Sequence, residues 1–582
     1  MQKSKRQERL MYLRTIICSL LLAMFVVWPL PMEMNSSISG HPGNDTWNHV
    51  WGHWWVYESI FSGTLPYKTD LLAYPNGGTL YFIDTIQAVM MLPIQMIFGV
   101  VFAYNLLIIL QIALCGFGAF LLSYRICFDE KASYIALFIF ELSPHVLGQA
   151  YNGISETVCA GWFPLTIWAL IGLLQQPTIK SAFWLGFLGS LCILSSWYYG
   201  LFAILVSIIF ILWSYIRQKW LYDWYLIAKN LIIAIAIAAS LIAFPFLFFQ
   251  KSLDASDALV RRDPVFVEQS LINHNITDIV AFFHPTKNPS PDLFSLYGEE
   301  LIIVIYLGWI AILLSIYAFL SIRNNRDLEV WILVVGIFFL FSLGPYINVG
   351  GEYLEFQGQK IPMPFLVLYK TFPIFDRISH PFRFVTGVQL GLAILAACGI
   401  RSILQTKQNQ FVVMNGIVMT TCLFIAMEYC FFSPAKIPIP RSEGKISSIY
   451  DQVESGAILD LPMTLPNLER AVYVYYQSQH KKPVPWGLND PMPLYIQKNP
   501  FTKILILLEG SRAHYTTPRY PELDIVIGLH RLYKDGFRSI VVHEDFYPEH
   551  KRTQIIQLLD ALLGEPIRKD GKSLYAITVM GE

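Results

Sequence analysis

Residues 41–63, HPGNDTWNHVWGHWWVYESIFSG, place one Asp, three His and four Trp just beyond the first apolar segment of the chain. The carboxylate of Asp45 has the chemistry of a general base, which must sit at the group whose proton it takes. At helical spacing Trp47, Trp51, Trp54, Trp55 and Ile60 form roughly one face, which suits a helix in the headgroup zone. Asp45 is then either the N-cap of that helix or a carboxylate held where lipid meets water, with Trp47 and Trp51 beside a substrate. His49 and His53 have the i, i+4 spacing of metal ligands, but no HExxH motif is present, so the histidines, His41 included, read better as members of an aromatic belt.

Three further acids and two arginines complete the set. Glu156 stands in GQAYNGISETVCAGW, a stretch otherwise free of charge, while Glu299 and Glu300 open an apolar run, where they also complement a helix dipole. FPIFDRISHPFRF holds Arg377, His380 and Arg383, and guanidinium forks match phosphate oxygens. If the substrate is a sugar on a lipid phosphate, the phosphate is already a good leaving group. Such chemistry needs cations for the developing phosphate charge and one base for an acceptor hydroxyl. Arg377 and Arg383 suit the first role and Asp45 the second; a hydrolase calls instead for a carboxylic acid paired with a second carboxylate.

The elements that must position these groups follow from composition. A chain of 582 residues that is 54% apolar and 14% charged reads as a polytopic membrane protein. Its formal net charge of zero gives no bulk basic field, so no nucleic-acid partner is expected. Taking roughly 20 apolar residues per span, eleven spanning helices are predicted near 14–31, 102–124, 132–148, 158–175, 181–199, 201–217, 225–249, 298–320, 328–345, 384–401 and 409–433. The shorter stretches 86–99 and 363–375 are expected to lie in the interface or to re-enter. With the N-terminus inside, the short basic turns at Arg125 and Lys131, Lys180, 216–219, 322–326, and Arg401 with Lys407 all fall on its side. The outer segments are then 32–101, 149–157, 250–297, 346–383 and the tail from 434, which collects Asp45, Glu156, Glu299, Glu300, Arg377 and Arg383 on one face. Glu141 and Glu428 fall inside spans near their outer ends, where acids either function or snorkel.

The tail changes character. GAILDLP and FRSIVVH read as strands, LERAVYVYYQSQ and YPEHKRTQIIQLLDALLG as helices, and residues 434–582 suffice for one small α/β domain. All eight Cys lie in or beside apolar segments, so neither a disulfide framework nor a Cys-type zinc site is indicated. Sequons at Asn35, Asn44 and Asn275 fall in outer segments.

The order of GNDTWNHVWGHWWVYESIFSG, DLLAYPNGGTLYF, LPIQMIFGVVFAYNLL, SPHVLGQAYNGISE, EELIIVIYLGW, SLGPYI, FPIFDRISHPFRF, AILDLP and VYYQSQHKKPV resembles the GT-C superfamily of polytopic membrane glycosyltransferases, in particular bacterial members that are protein-mannosyltransferase-like. The resemblance implies that Asp45 is a catalytic base or helps to hold substrate or metal, and that Glu156, and then Glu300, supply later acidic positions. It implies a polyprenyl-phosphate-linked sugar donor used on the outer face of the bacterial inner membrane, with a glycan, lipid or protein acceptor. Asp45 lacks the adjacent acid of some eukaryotic members, and the tail lacks a WWDYG-like motif, which argues against oligosaccharide transfer to protein.

The expectation is therefore an α-helical, GT-C-like membrane protein of about eleven spans, residues 1–433, with a first outer loop at 32–101 and an extracytoplasmic α/β domain at 434–582. Its expected activity is inverting glycosyl transfer, with Asp45 and Glu156 catalytic, and Arg377, Arg383, His380, Glu300, Trp47 and Trp51 on the substrate. A divalent cation is the one cofactor considered. The alternatives are a lipid-linked saccharide flippase and a non-catalytic envelope-assembly protein. Transporters tend to hold polar groups at the midplane in repeated halves; here the charges crowd one face.

Overall fold

The computed structural model describes the chain except residues 1–4, 219–222, 261–263, 286–298, 322–325, 374, 407–410, 436, 454, 489–491, 511–520 and 579–582. Lys219, Arg323 and Lys407, three of the charges expected on the inner side, lie outside the described residues, as does the expected helix start at 298. Among the described residues, seven helices are long and apolar enough to cross a membrane, and three shorter apolar helices accompany them. The protein is an integral membrane protein with a small sheet-containing tail.

The first half runs α1 (Lys5–Val26), strand β1 (Ser37–Ser39), α2 (Thr46–Phe61), α3 (Thr85–Cys127), α4 (Glu130–Glu141), α5 (Pro144–Tyr151), α6 (Ser155–Val158), α7 (Trp162–Gln175), α8 (Ile179–Ser195), α9 (Trp197–Gln218) and α10 (Trp224–Asp254). At 1.5 Å per residue the 43 residues of α3 would extend about 65 Å if straight, twice a hydrocarbon core of ~30 Å. The helix instead breaks at Gly99, whose φ of 85° lies in the region that favours glycine. Residues 85–98, expected as a separate interfacial stretch, thus form the first arm of α3. The single span expected at 132–148 is also corrected: Ser143 accepts a hydrogen bond from Val146 N at 3.3 Å, and Pro144, without an N–H to donate, starts a new helix.

The largest departure lies at the expected span 298–320. Its helix is Trp309–Ser321, while residues 301–308 run extended and mostly buried. Non-helical backbone at such depth persists only where protein groups satisfy it, and here side chains do so. Asn152 accepts from Ile302 N at 2.9 Å and donates to Ile302 O at 2.8 Å, Gln389 donates to Tyr306 O at 3.1 Å, and the Tyr429 hydroxyl donates to Leu307 O at 2.7 Å. Glu428 then accepts from Trp309 N at 2.6 Å and Ile310 N at 3.1 Å. An acid placed in a span by the sequence thus caps the N-terminus of a neighbouring helix, where its charge meets the positive end of the dipole.

Helix Val385–Gln405 is the hub of the bundle, buried along most of its length and packed against α3, α4, Trp309–Ser321 and Arg326–Ser342. Helix α10 packs mainly on α8 and leaves Ile232, Ile235, Phe244 and Leu247 exposed, an apolar face suited to lipid.

In the tail, strands Ala457–Leu461 and Phe537–His543 pair in parallel, and Lys572–Ala576 and Ile567–Lys569 follow antiparallel. The strand readings of GAILDLP and FRSIVVH hold, as do the helices at Val472–His480 and Glu549–Leu563. Two backbone ladders join this unit to the segment after α1: Arg441–Glu443 pairs antiparallel with β1, and Val484 N donates to Leu71 O at 2.9 Å while Tyr74 N donates to Val484 O at 3.1 Å.

Candidate functional site

Asp45 occupies the N-cap position of α2, yet its side chain makes no capping hydrogen bond. It is partly exposed and accepts from Asn48 Nδ2 at 3.3 Å. The capping explanation of this acid, the simplest one available from sequence, therefore does not apply. One turn on, His49 is buried, and its Nδ1 lies 2.7 Å from Asp84 Oδ2. Asp84 sits at the N-cap position of α3, also without a capping bond, and is fully buried. Ser155, the first residue of α6, donates its hydroxyl to the same Asp84 oxygen and lies 3.0 Å from His49 Nδ1.

Burial disfavours charge on both members of this pair, but their mutual attraction prevails. The His49 imidazole is pushed up to about 9, against the opposing effect of desolvation, chiefly by Asp84, with Glu156 and Asp45 adding to the effect. Desolvation likewise works to raise Asp84, but the His49 charge and hydrogen bond hold its carboxyl below the usual range. His53, one turn further along α2, has its Nε2 3.9 Å from Asp84. Burial lowers it to about 4, so it is neutral, wedged edge-on against Phe82 and Tyr104.

Glu156 follows Ser155 directly and meets Arg383, whose Nη1 donates to Glu156 Oε1 at 3.2 Å; both side chains are more than nine-tenths buried. The guanidinium lies over the Tyr198 ring at 4.6 Å, and its Nε is buried without a hydrogen-bond partner among the described residues. His380 Nδ1 lies 2.7 Å from the Ser379 hydroxyl and 3.5 Å from the Tyr198 hydroxyl. Arg377 is exposed on the 3₁₀ turn Phe375–Arg377.

Glu300 reaches the same region from the extended segment. Its Oε2 is 2.9 Å from His41 Nε2, and its carbonyl accepts from Asn44 Nδ2 at 3.1 Å. Asn44, one of the three sequon asparagines, is therefore buried and engaged, as is Asn275, which donates to Ser379 O at 2.7 Å.

Trp47 and Trp51 lie elsewhere than expected. Both are buried, Trp47 donating to Pro42 O at 2.8 Å and packing near Tyr475, Trp51 donating to Gln477 Oε1 at 2.8 Å. The lipid-facing belt expected for α2 is in fact its contact with helix Val472–His480 of the tail. Aromatic residues suit an interface with a polar edge whether that edge meets lipid or protein, so composition does not separate the two cases.

Sequence reasoning passed over Asp84, Ser155 and Tyr198, and set His49 among belt residues. The quoted stretch DLLAYPNGGTLYF ends two residues short of Asp84, a lone acid at the mouth of a long apolar run. That placement was its only local signal. As for cations, no group of three or more His, Cys, Asp or Glu side chains among the described residues is arranged to hold a metal ion.

No family model matches this chain, and no curated protein matches it either. Solved structures do. The Archaeoglobus fulgidus oligosaccharyltransferase AglB, in complex with an inhibitory peptide and a dolichol-phosphate, superposes with a TM-score of 0.50 at 12% identity over 93% of this chain and 70% of that one. Its complex with Zn and sulfate gives 0.50 at 11% identity over 91% and 68%. The mycobacterial arabinofuranosyltransferase AftD gives 0.54 at 14% identity over 99% of this chain and 42% of that one. Likeness at such identities is likeness of fold, and this chain shares its fold with these oligosaccharyltransferase and arabinofuranosyltransferase structures.

Proposed function

We propose that this protein transfers a sugar from a polyprenyl-phosphate-linked donor to an acceptor hydroxyl, with inversion, at the extracytoplasmic face of a bacterial inner membrane. The supporting observation is the juxtaposition of Asp45, His49–Asp84 and Glu156–Arg383, drawn from separate segments to one place where the Asp45 carboxylate is partly exposed. In this reading residues 1–433 are the transmembrane unit, with the N-terminus cytoplasmic. Residues 434–582 are an extracytoplasmic domain seated on the first outer loop.

Asp45 takes the proton of the acceptor hydroxyl as its oxygen attacks the anomeric carbon, and the bond to the phosphate breaks on the opposite side with its electron pair leaving on the phosphate. Preorganised positive charge lowers the energy of that developing anion. Arg383, with its unused Nε donor, supplies such charge from within, and exposed Arg377 supplies it from the loop. Asp45 and Asp84 stand at the N-cap positions of α2 and α3, where the positive ends of the helix dipoles add to this charge. Glu156 orients Arg383 and the sugar, His380 and Glu300 border the substrate, and Trp47 and Trp51 bear on it by fixing α2.

The archaeal neighbour was solved with Zn. Here Asp84 Oδ2 is held by His49 and Ser155 and Glu156 Oε1 meets Arg383, while Asp84 Oδ1 is buried with no hydrogen-bond partner among the described residues. The test of function is mass spectrometry of envelope glycans and lipid-linked sugars from cells with and without the protein. A glycan lost together with accumulation of its lipid-linked donor supports transfer; an unchanged profile refutes it.

A further inference from the structure

A cavity of about 340 Å³ opens at the C-terminal end of α10, lined by Leu247, Gln250, Lys251, Asp254 and Ala255. These positions recur at i, i+3, i+4, i+7 and i+8, so they form one face of the helix. Exposed Phe244 continues that face toward the middle of α10. Depth follows from the placement of charge. Lys229 and Lys251 bracket residues 230–250, which carry no charge. At 1.5 Å per residue that run extends about 32 Å, close to a hydrocarbon core of ~30 Å. Lys251 therefore stands at the level of lipid phosphates, and Asp254, about 4.5 Å further along the axis, stands beyond it. A cation in the last turn complements the helix dipole, and Lys251 Nζ also lies 5.6 Å from the centre of the Phe248 ring, which stacks on Tyr67 at 3.9 Å. Asp254 has no such support. As the last residue of α10 it puts a carboxylate at the negative end of the dipole, which calls for a cation from outside the helix. Among the described residues neither charge is ion-paired, and the next acid, Asp257, lies 3.9 Å from Lys68 instead.

We propose that this cavity binds one phospholipid whose headgroup carries a primary amine, phosphatidylethanolamine, with an acyl chain along Phe244 and Leu247, the phosphate on Lys251 and the ammonium on Asp254. The match is one of order. From the core toward water the helix presents an apolar side chain, an amide, a cation and an acid, and the lipid presents an acyl chain, an ester, a phosphate and an amine. An anionic lipid without the amine satisfies Lys251 but brings no cation to Asp254, and a quaternary amine has no N–H to give the carboxylate. The inference goes beyond the glycosyl-transfer reading and depends neither on it nor on which leaflet this end of α10 meets. The cavity adjoins the joint between α10 and the segment linking α2 to α3, where Thr79 N donates to Asp257 O at 3.0 Å and Leu259 N donates to Thr79 O at 2.9 Å. A lipid held there binds the folded protein and so stabilises it.

The experiment uses the purified full-length protein, delipidated in detergent, with added dioleoyl phosphatidylethanolamine, phosphatidylglycerol or phosphatidylcholine. Native mass spectrometry counts the lipid retained, and a melting curve on each sample reads its effect on the fold. The expected result is one phosphatidylethanolamine held about tenfold more tightly than either other lipid, the scale of one charge-assisted hydrogen bond, together with a rise in melting temperature. Asp254→Asn should narrow that preference, and Lys251→Gln should weaken all three lipids. Exchange of the two charges, Lys251→Asp with Asp254→Lys, should abolish the preference although net charge is unchanged. Equal retention of the three lipids by wild type, tighter phosphatidylglycerol, or a preference that survives the exchange overturns the proposal. Both side chains are exposed, so the variants should fold; if the exchanged protein does not, the two single variants decide. No arm measures sugar transfer, so failure of the functional reading leaves this test intact.

Discussion

His49 Nδ1 and Asp84 Oδ2 are 2.7 Å apart inside the protein, joining the first turn of α2 to the start of α3. Each has the other as its main counter-charge, and Ser155 closes the arrangement. Asp84→Asn removes the anion and leaves a histidine that burial then drives neutral. Breaking a buried pair on one side costs about 3–5 kcal/mol, so a clear drop in melting temperature is expected. The His49 imidazole should also titrate well below its wild-type range by NMR. An unshifted His49 resonance would show that Asp84 is not its partner.

The same pair sets a pH dependence. The folded His49 value, about 9, lies above the ~6.5 of an unfolded histidine, so its contribution to stability is complete below pH ~6.5 and is lost as pH climbs toward 9. Asp84 is depressed when folded, so its contribution is present above pH ~3.9 and is lost as pH falls through the folded value. Thermal unfolding across pH should therefore show its maximum between about pH 4 and 6.5. His49→Gln should flatten the alkaline decline; an equally steep decline in the variant would assign it to other groups.

Asp45 contributes no capping bond to α2, so its removal should affect chemistry and spare the fold. Asp45→Asn is expected to lower transfer ~10²–10⁴-fold, the usual effect of a lost general base. Its stability should stay within about 0.5 kcal/mol of wild type. Radiolabel incorporation and a melting curve on one preparation check both halves, and unchanged transfer would remove Asp45 from the mechanism.

Gln477 is the polar joint between tail and bundle. Its amide nitrogen donates to Leu71 O and Lys482 O, both at 2.8 Å, while its oxygen accepts from Trp51. Gln477→Ala strands the buried Trp51 indole donor, at about 1–3 kcal/mol for a group left unsatisfied, while Leu71 O keeps its bond from Val484 N. Limited proteolysis should then release the tail faster than in wild type, while Gln477→Glu, which keeps an acceptor for Trp51, should fall between. Equal release rates would mean that the backbone ladders hold the tail unaided.

What the sequence determined by itself was whatever is written locally. Apolar runs marked the helices because each must satisfy its own backbone in lipid. Ala457–Leu461 and Phe537–His543 were legible as strands because short β-branched and aliphatic runs stand between turn signals. Asp45, Glu156 and Arg383 stood out as charges in apolar or aromatic surroundings. Pairing is not local. His49 and Asp84 are separated by 35 positions, and Arg383 and Glu156 by 227, so tertiary structure alone made them neighbours. It also turned residues 301–308 from the start of a helix into a buried extended segment. Hydropathy records that these residues are apolar, whereas the groups that satisfy their backbone, Asn152, Gln389 and Tyr429, come from other parts of the chain. The tryptophans of α2 show the same limit: their composition called for an amphipathic boundary, and only packing decided that the boundary was with the tail.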